Sequence, residues 1–298
     1  MGKVTESQVL SQSFPDISFD EVYVLSNGTV NGERADSFPL QGEKLTIGVC
    51  FRDTQSFSYT LTIAEDSHIN LYVCGEEGSC GELQILCGER SECNQIVIQQ
   101  NATQQTYTIN QQKDSFYKAG FFQLNGKKNV VNLVVNKESE QANTDLYGVF
   151  MPMQDEIHEI ITRVNHDAPE CETNELFRGI ADDNGEGTFS GLIYVAKDSQ
   201  KTSAKQQNRN ILLSKNARIH SEPQLEIYAD DVICNHGSST GQIDAEALWY
   251  MQARGIDKIS ATKLLVGGFA NDVLEKISDE KIRDFVSVKI NEKLTQSH

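Results

Sequence analysis

"INLYVCGEEGSCGELQILCGERSECNQIVIQQ", residues 69–100, sets three short apolar bursts between turns made of Gly, Glu, Ser and Arg. The bursts are rich in Val, Ile, Leu and Tyr and interleave with polar residues, a strand-and-turn signature. The same texture extends outward in both directions, from "EVYVL" at Glu21 through "NVVNLVVN" and "GTFSGLIYVA" to "QLEIYA". Bursts recur about every 10 to 13 residues over some two hundred residues, longer than one sandwich needs, and few prolines are present to mark edge strands. Sandwiches, barrels and solenoids share such a pattern. The spacing favours the stacked coils of a β-helix, in which each coil buries its inward face on its neighbours.

The opening stretch also carries Cys74, Cys80, Cys87 and Cys93, a C-x5-C unit written twice. Four thiols so close together raise zinc or an iron–sulfur cluster, but a zinc knuckle brings its cysteines two to four residues apart around a tight turn. The reading favoured here is structural: Cys74 and Cys87 occupy like positions in adjacent bursts and stack as an interior ladder of small apolar groups.

With 298 residues, 33.2 kDa and 38% hydrophobic residues, the chain can fill one large domain or two ordinary ones with a true core. Its 26 Lys and Arg against 43 Asp and Glu give a formal net charge of −17, which repels phosphates and anionic headgroups. Neither nucleic acid nor membrane is an expected partner. The N-terminus shows no apolar run of secretory-signal length, and nothing approaches the ~20 apolar residues that span a bilayer, so a cytoplasmic protein is expected. Seven cysteines, an odd count at ordinary density, point to reduced thiols.

After Gln242 the texture turns helical. "DAEALWYMQARGI" opens on Asp244 as an N-cap and closes on Gly255 as a C-cap, with Leu248 and Met251 on helical spacing. Two more helices follow, one bearing an apolar stripe of Leu264, Leu265, Phe269, Val273 and Leu274, the other with Ser278 as its start signal. That stripe is wider than three short helices require. Docking of a partner and capping of the solenoid's open end are the two readings it allows. The chain is thus divided into a lead segment over 1–20, a β-helix core domain over 21–242 and a C-terminal helical domain over 243–298.

Catalytic motifs are weak. His158 and Glu159 lack the second histidine of a zincin, and "DNGEGTFSG" lacks the lysine and helix of a phosphate loop. No catalytic residues are assigned, and the chain is read as a non-enzyme.

Three blocks are more specific: "GLIYVAKDSQKTSAKQQNRNILLS" (191–214), "PQLEIYADDVICNHG" (223–237) and "ALWYMQARGI" (247–256), preceded by "HDAPECETNELFRGI" (166–180). Together they resemble the SufB/SufD family of iron–sulfur cluster assembly proteins over roughly the last half of the chain. They resemble its SufD branch more, because the SufB branch carries an "EHEATT"-like phrase where "CNHGSST" stands here. The resemblance implies a right-handed parallel β-helix followed by a small helical domain, acting as a scaffold that joins SufB-like and SufC-like partners. It implies no stably bound cofactor, only transient iron or a nascent cluster at the SufB interface. Members of that family commonly carry an N-terminal helical region ahead of the β-helix, whereas the β texture here begins within the first few dozen residues.

Cys234 and His236 stand two apart in an extended strand and so share a face; both are candidate iron ligands, and the resemblance puts the histidine at the SufB-facing interface. The resemblance also assigns SufC contact to the C-terminal helices, with Asp244, Leu248, Trp249, Tyr250, Arg254, Leu265 and Phe269 as candidates. Two other readings stay open: a stand-alone SufD-like homodimer with a divergent role, and an exported polysaccharide-active β-helix enzyme.

Overall fold

The computed structural model describes residues 8–35 and 37–296. It shows β1 (Glu21–Ser26), β2 (Thr29–Val30), β3 (Ser37–Leu40), β4 (Leu45–Phe51), β5 (Ser58–Ile63), β6 (His68–Gly75), β7 (Cys80–Cys87), β8 (Glu92–Gln99) and β9 (Thr103–Gln111). These continue as β10 (Phe116–Gln123), β11 (Lys128–Lys137), β12 (Asn143–Phe150), β13 (Ile157–His166), β14 (Glu172–Ala181), β15 (Glu186–Val195), β16 (Ser203–Leu212), β17 (Arg218–Ile227) and β18 (Ile233–Gln242). A short helix α1 (Gln8–Ser13) precedes them, and α2 (Ala245–Ala253), α3 (Lys258–Leu274) and α4 (Glu280–Gln296) follow.

From β3 onward, successive strands alternate between two sheets. One sheet runs β18-β16-β14-β12-β10-β8-β6-β4-β1-β2 and the other β17-β15-β13-β11-β9-β7-β5-β3, and apart from β1–β2 every pairing is parallel. This is a parallel β-solenoid, as expected. One coil therefore spans two bursts: paired residues lie 24 positions apart at His68 and Glu92, and 31 apart at Glu175 and Gln206.

That two-burst repeat corrects the cysteine ladder. Cys74 lies in β6 and Cys87 in β7, so they belong to different sheets; Cys74 is paired with Cys50 of β4, and Cys87 with Ile63 and Gln111. Cys50 and Cys74 face outward, buried under α1 beside Leu10 and Phe14.

Six successive coils turn into the first sheet, from β6 to β16, at a corner where one non-glycine residue adopts positive φ: Asp66, Arg90, Asp114, Gln141, Glu170 and Lys201. Left-handed backbone is unfavourable for such residues, so a compensating contact is required. It is supplied by stacking. The corner N–H of Arg90 donates to Lys113 O at 3.0 Å, that of Glu170 to Gln200 O at 2.9 Å, and the other corners repeat the bond to the next coil.

The outward face of the first sheet is itself apolar, with Tyr72, Ile96, Ile98, Phe122, Tyr147, Val149 and Ile180 buried against Val266, Ala270, Val273, Ile282, Val286 and Ile290 of α3 and α4. Strand residues there are buried on both faces, which is why the alternation blurs in β8, β10 and β12. The helices are also tied down by Lys276 to Asp145 at 2.8 Å, by Lys293 to Glu156 and by the buried Arg178 to Asp272. Capping of the open end is thus excluded as the role of α3 and α4: they lie along the flank. The buried stripe of α3 is Ala261, Thr262, Val266, Ala270, Val273 and Leu274, while Leu264 is exposed. Asp279, not Ser278, starts α4, accepting from the N–H groups of Lys281 and Ile282.

The two ends of the solenoid differ. At the N-terminal end β2 folds back antiparallel on β1, and Asn31 stands in for a further strand: its Oδ1 accepts from Val24 N at 2.8 Å and its Nδ2 donates to Val22 O at 3.1 Å. At the C-terminal end β17 and β18 run ten residues each with no strand beyond them among the described residues.

Candidate interface at the open end of the solenoid

In β16 Ala204, Gln206, Asn208 and Asn210 are buried while Lys205 and Arg209 are exposed, so the first set points into the solenoid. In-register parallel pairing sets Cys234, His236, Ser238 and Thr240 of β18 over those four residues, on the same inward side. With no further coil above them, inward-facing groups become the walls of an open mouth.

The mouth has two halves. Cys234 is half-buried in an apolar cluster with Ile193, Val195, Ala204, Leu225, Val232 and Ala229, and burial pushes its thiol up from its ordinary pKa. Farther along the strand lies a polar network: Ser221 Oγ donates to Asn208 Oδ1 at 2.7 Å and contacts Ser238 Oγ at 2.7 Å, and Asn210 Nδ2 bonds Asn208 Oδ1 at 2.7 Å and Thr240 Oγ1 at 3.1 Å. The serine pair ties β17 to β18 across the mouth. His236 stands between the two halves and is exposed.

Cys234 and His236 therefore share a face, about 6.6 Å apart along the strand by its rise per residue. Among the described residues no group of three or more His, Cys, Asp or Glu side chains forms a metal site. Two N and S donors on one strand suit iron chemically but leave its coordination incomplete within one chain.

Beneath the mouth the interior is polar and was missed by sequence reasoning. Glu175 lies one coil below Gln206, fully buried, and accepts from Gln206 Nε2; burial pushes its carboxyl up to about 7 against the pull of Gln206, Thr162 and Lys137. Lys137 is also buried and donates to Ala142 O at 3.1 Å and to Glu172 O, with its pKa brought down to about 7 by the same cause. His166, bonded to Thr173 Oγ1 at 2.9 Å, and His158 are held well below the usual imidazole range by burial, so both are neutral core groups. The available signal was a polar residue at an inward position of a period-2 strand, legible only once inward is known.

The helical candidates separate. Asp244 caps α2, its Oδ1 accepting from Glu246 N at 2.9 Å and Ala247 N at 3.0 Å, and Gly255 ends it with φ +88. No residue of α2 is buried; Leu248 is partly covered, whereas Trp249 is 70% and Tyr250 56% exposed. Arg254 stacks 5.1 Å over the Tyr250 ring and donates to its hydroxyl at 2.9 Å. Leu265 is half-buried, and Phe269 packs in the seam between α3 and the sheet, 5.6 Å from the Arg178 guanidinium. Trp249 and Tyr250 are thus free of the solenoid, and Phe269 is not.

A parallel solenoid with an open mouth and flanking helices defines the class. Residues 52–269 match the family model described as "SUF system FeS cluster assembly, SufBD core domain", and the chain belongs to that family. Its relatives include the iron-sulfur cluster assembly protein SufD of Escherichia coli, 34% identical over 55% of this chain and 38% of that protein. The SufD of Bacillus subtilis is 23% identical over 78% of this chain and 56% of that one, and the chloroplastic protein ABCI7 of Arabidopsis thaliana 30% over 59% and 37%. Each match spans less than two thirds of the relative's own length. The chain is SufD-like within the family. No helix among the described residues is long and apolar enough to cross a membrane.

Proposed function

We propose that this chain is a scaffold subunit of an iron–sulfur cluster assembly complex, joining a SufB-like solenoid through its open end and a SufC-like ATPase through α2. The observation that carries the reading is the contrast between the two edges of the first sheet: its N-terminal edge is covered by β2 and Asn31, whereas β18 presents a full-length free edge beside an exposed inward face. An unpaired edge of that length is a template for strand pairing, and natural proteins blunt it unless it is used. The edge of β17 is interrupted by Pro223, so β18 is the more complete of the two.

In this reading Cys234 and His236 offer one thiol and one imidazole to iron or a nascent cluster as cargo, and the partner solenoid completes the coordination. The chain's role is to position, not to catalyse. Trp249 and Tyr250 are the anchors for the ATPase, since exposed aromatics that do not pack on the solenoid suit the centre of an interface. A cytoplasmic setting fits the acidic composition, and the chloroplastic relative extends the family to a plastid.

The test is co-expression with the SufB-like and SufC-like proteins of the same genome, followed by stoichiometry analysis of wild type and of a Trp249→Ala/Tyr250→Ala variant. Removing everything after Gln242 is a poorer experiment, because it uncovers the apolar flank that α3 and α4 bury. A ternary complex that loses only the ATPase in the variant supports the reading. A wild-type chain that stays a homodimer refutes it and favours the stand-alone alternative, in which two copies pair through the same edge.

A further inference from the structure

We propose that Gln206 and Glu175 are positioning residues for His236: Glu175 fixes the orientation of the Gln206 amide, whose carbonyl then accepts the ring N–H of His236 and selects one imidazole tautomer. The proposal deepens the reading of His236 given above and rests on it for its functional meaning.

Three observations meet in this column. Glu175, Gln206 and His236 are successive in-register partners on the inward side of β14, β16 and β18, so each side chain stacks on the next. Gln206 Nε2 donates to Glu175 Oε2, which turns Gln206 Oε1 the other way, and among the described residues that buried oxygen has no hydrogen-bond partner. Gly191 of β15 leaves room for the arrangement: a Cβ there would lie 2.3 Å from Gln206 Nε2 and 3.0 Å from Thr162 Oγ1. The amide is packed in one place, with its donor side used and its acceptor side unused.

An ionised carboxylate only accepts hydrogen bonds, so it forces the amide to present its NH2 group. The carbonyl is left for the next coil, where His236 is the residue in register. A histidine whose one ring nitrogen donates to a carbonyl keeps the lone pair of the other, and this is how protein scaffolds orient imidazole toward a metal. The charged and polar groups around Glu175 are Thr162 from β13, Gln206 from β16 and, more distantly, Lys137 from β11, none of which displaces the amide.

The experiment is 15N NMR of the full-length chain labelled at its histidine rings, with the His236 signal assigned by His236→Gln, at about pH 8. Wild type is expected to show one dominant tautomer. Gln206→Leu and Glu175→Leu are expected to weaken that preference at least about fivefold, the worth of one ordinary hydrogen bond. Glu175→Gln, whose amide can donate as well as accept and so no longer forces the Gln206 orientation, is expected to weaken it by less than the leucine variants. Unchanged signals from buried His158 and His166 report an intact fold, and Glu175→Leu serves if Gln206→Leu does not fold. An unbiased tautomer in wild type, or a bias that survives both leucine variants, overturns the proposal. The measurement needs only the isolated chain, so its failure and a failure to assemble with partners are separate results.

Discussion

Along one inward column the solenoid reads Leu71, Gln95 and Ala119 in its N-terminal coils and Glu175, Gln206 and His236 in its C-terminal coils, with Leu146 between. The neighbouring column passes in the same way from Val73, Val97 and Phe121 to Phe177, Asn208 and Ser238. Both regions have the same backbone and the same stacking. They differ in what the last coil faces: an N-terminal coil is followed by another coil, so even its Gln95 is buried and accepts from Tyr117 within the core, whereas β17 and β18 have only solvent or a partner above them. A polar interior near the mouth suits both states, because Ser221, Asn208, Asn210 and Thr240 are bonded to one another when the mouth is open, while acceptors such as Asn210 Oδ1 are left for a partner.

The largest expected effect comes from blunting the open end as the closed one is blunted. The N–H of Ile233 points to Thr202 O in the coil below, so the N–H groups of even-numbered residues in β18 face the free edge. Thr240→Pro therefore removes an edge donor, together with the hydroxyl that accepts from Asn210, without breaking the β16–β18 ladder. It should weaken association with the partner solenoid by up to about 3 kcal/mol, around a hundredfold, the upper end for leaving a buried carbonyl of the partner without its donor, as measured by titration, while the isolated chain remains folded.

Making the C-terminal interior resemble the N-terminal one is the next test. The carboxyl of Glu175 titrates near 7 in the fold and near 4.5 in the unfolded chain, so the folded state holds the extra proton in between and stability falls as pH rises through that window. Lys137, lowered to about 7 from 10.5, acts in the opposite sense: the unfolded chain holds the extra proton there, and stability rises from about 7 toward 10.5. Urea unfolding should show a minimum near neutrality. Glu175→Gln should flatten its acid limb, worth of order 3 kcal/mol at 1.36 kcal/mol per pH unit, and leave the alkaline limb in place.

Opening the closed end is expected to cost less. Asn31→Ala removes two side-chain bonds to the β1 backbone, and a loss of about 1–3 kcal/mol together with new self-association by light scattering is the expected result. Smallest is Lys276→Met on the flank. Its pair with Asp145 is only partly covered, so thermal melting should move by less than about 1 kcal/mol, with no change at either end.

Strand-rich coils, the switch to helices near Gln242, the α2 caps at Asp244 and Gly255 and the family blocks were all legible, because they depend on local pattern: period 2, period 3.6 and the few residues that cap a helix. The family resemblance brought Cys234 and His236 into view as well. Which bursts share a sheet was not legible, as the misplaced Cys74 and Cys87 ladder shows, because a coil of 24 residues lengthens to 31 along the chain and a drifting repeat cannot be phased from spacing. Nor did the corners announce themselves: residues such as Arg90 and Lys201 hold positive φ without glycine, stabilised by hydrogen bonds to the next coil.

By itself, then, the sequence determined that this chain folds into stacked strands with a helical tail, since periodicity acts over a few neighbouring residues, and its ordered blocks carried the resemblance to the SufB/SufD family. Only the tertiary structure decided that α3 and α4 line the flank, that the mouth is open and that Glu175 lies two coils beneath His236. Those relations join residues tens to hundreds of positions apart, and burial and hydrogen-bond direction exist only once the coils have stacked.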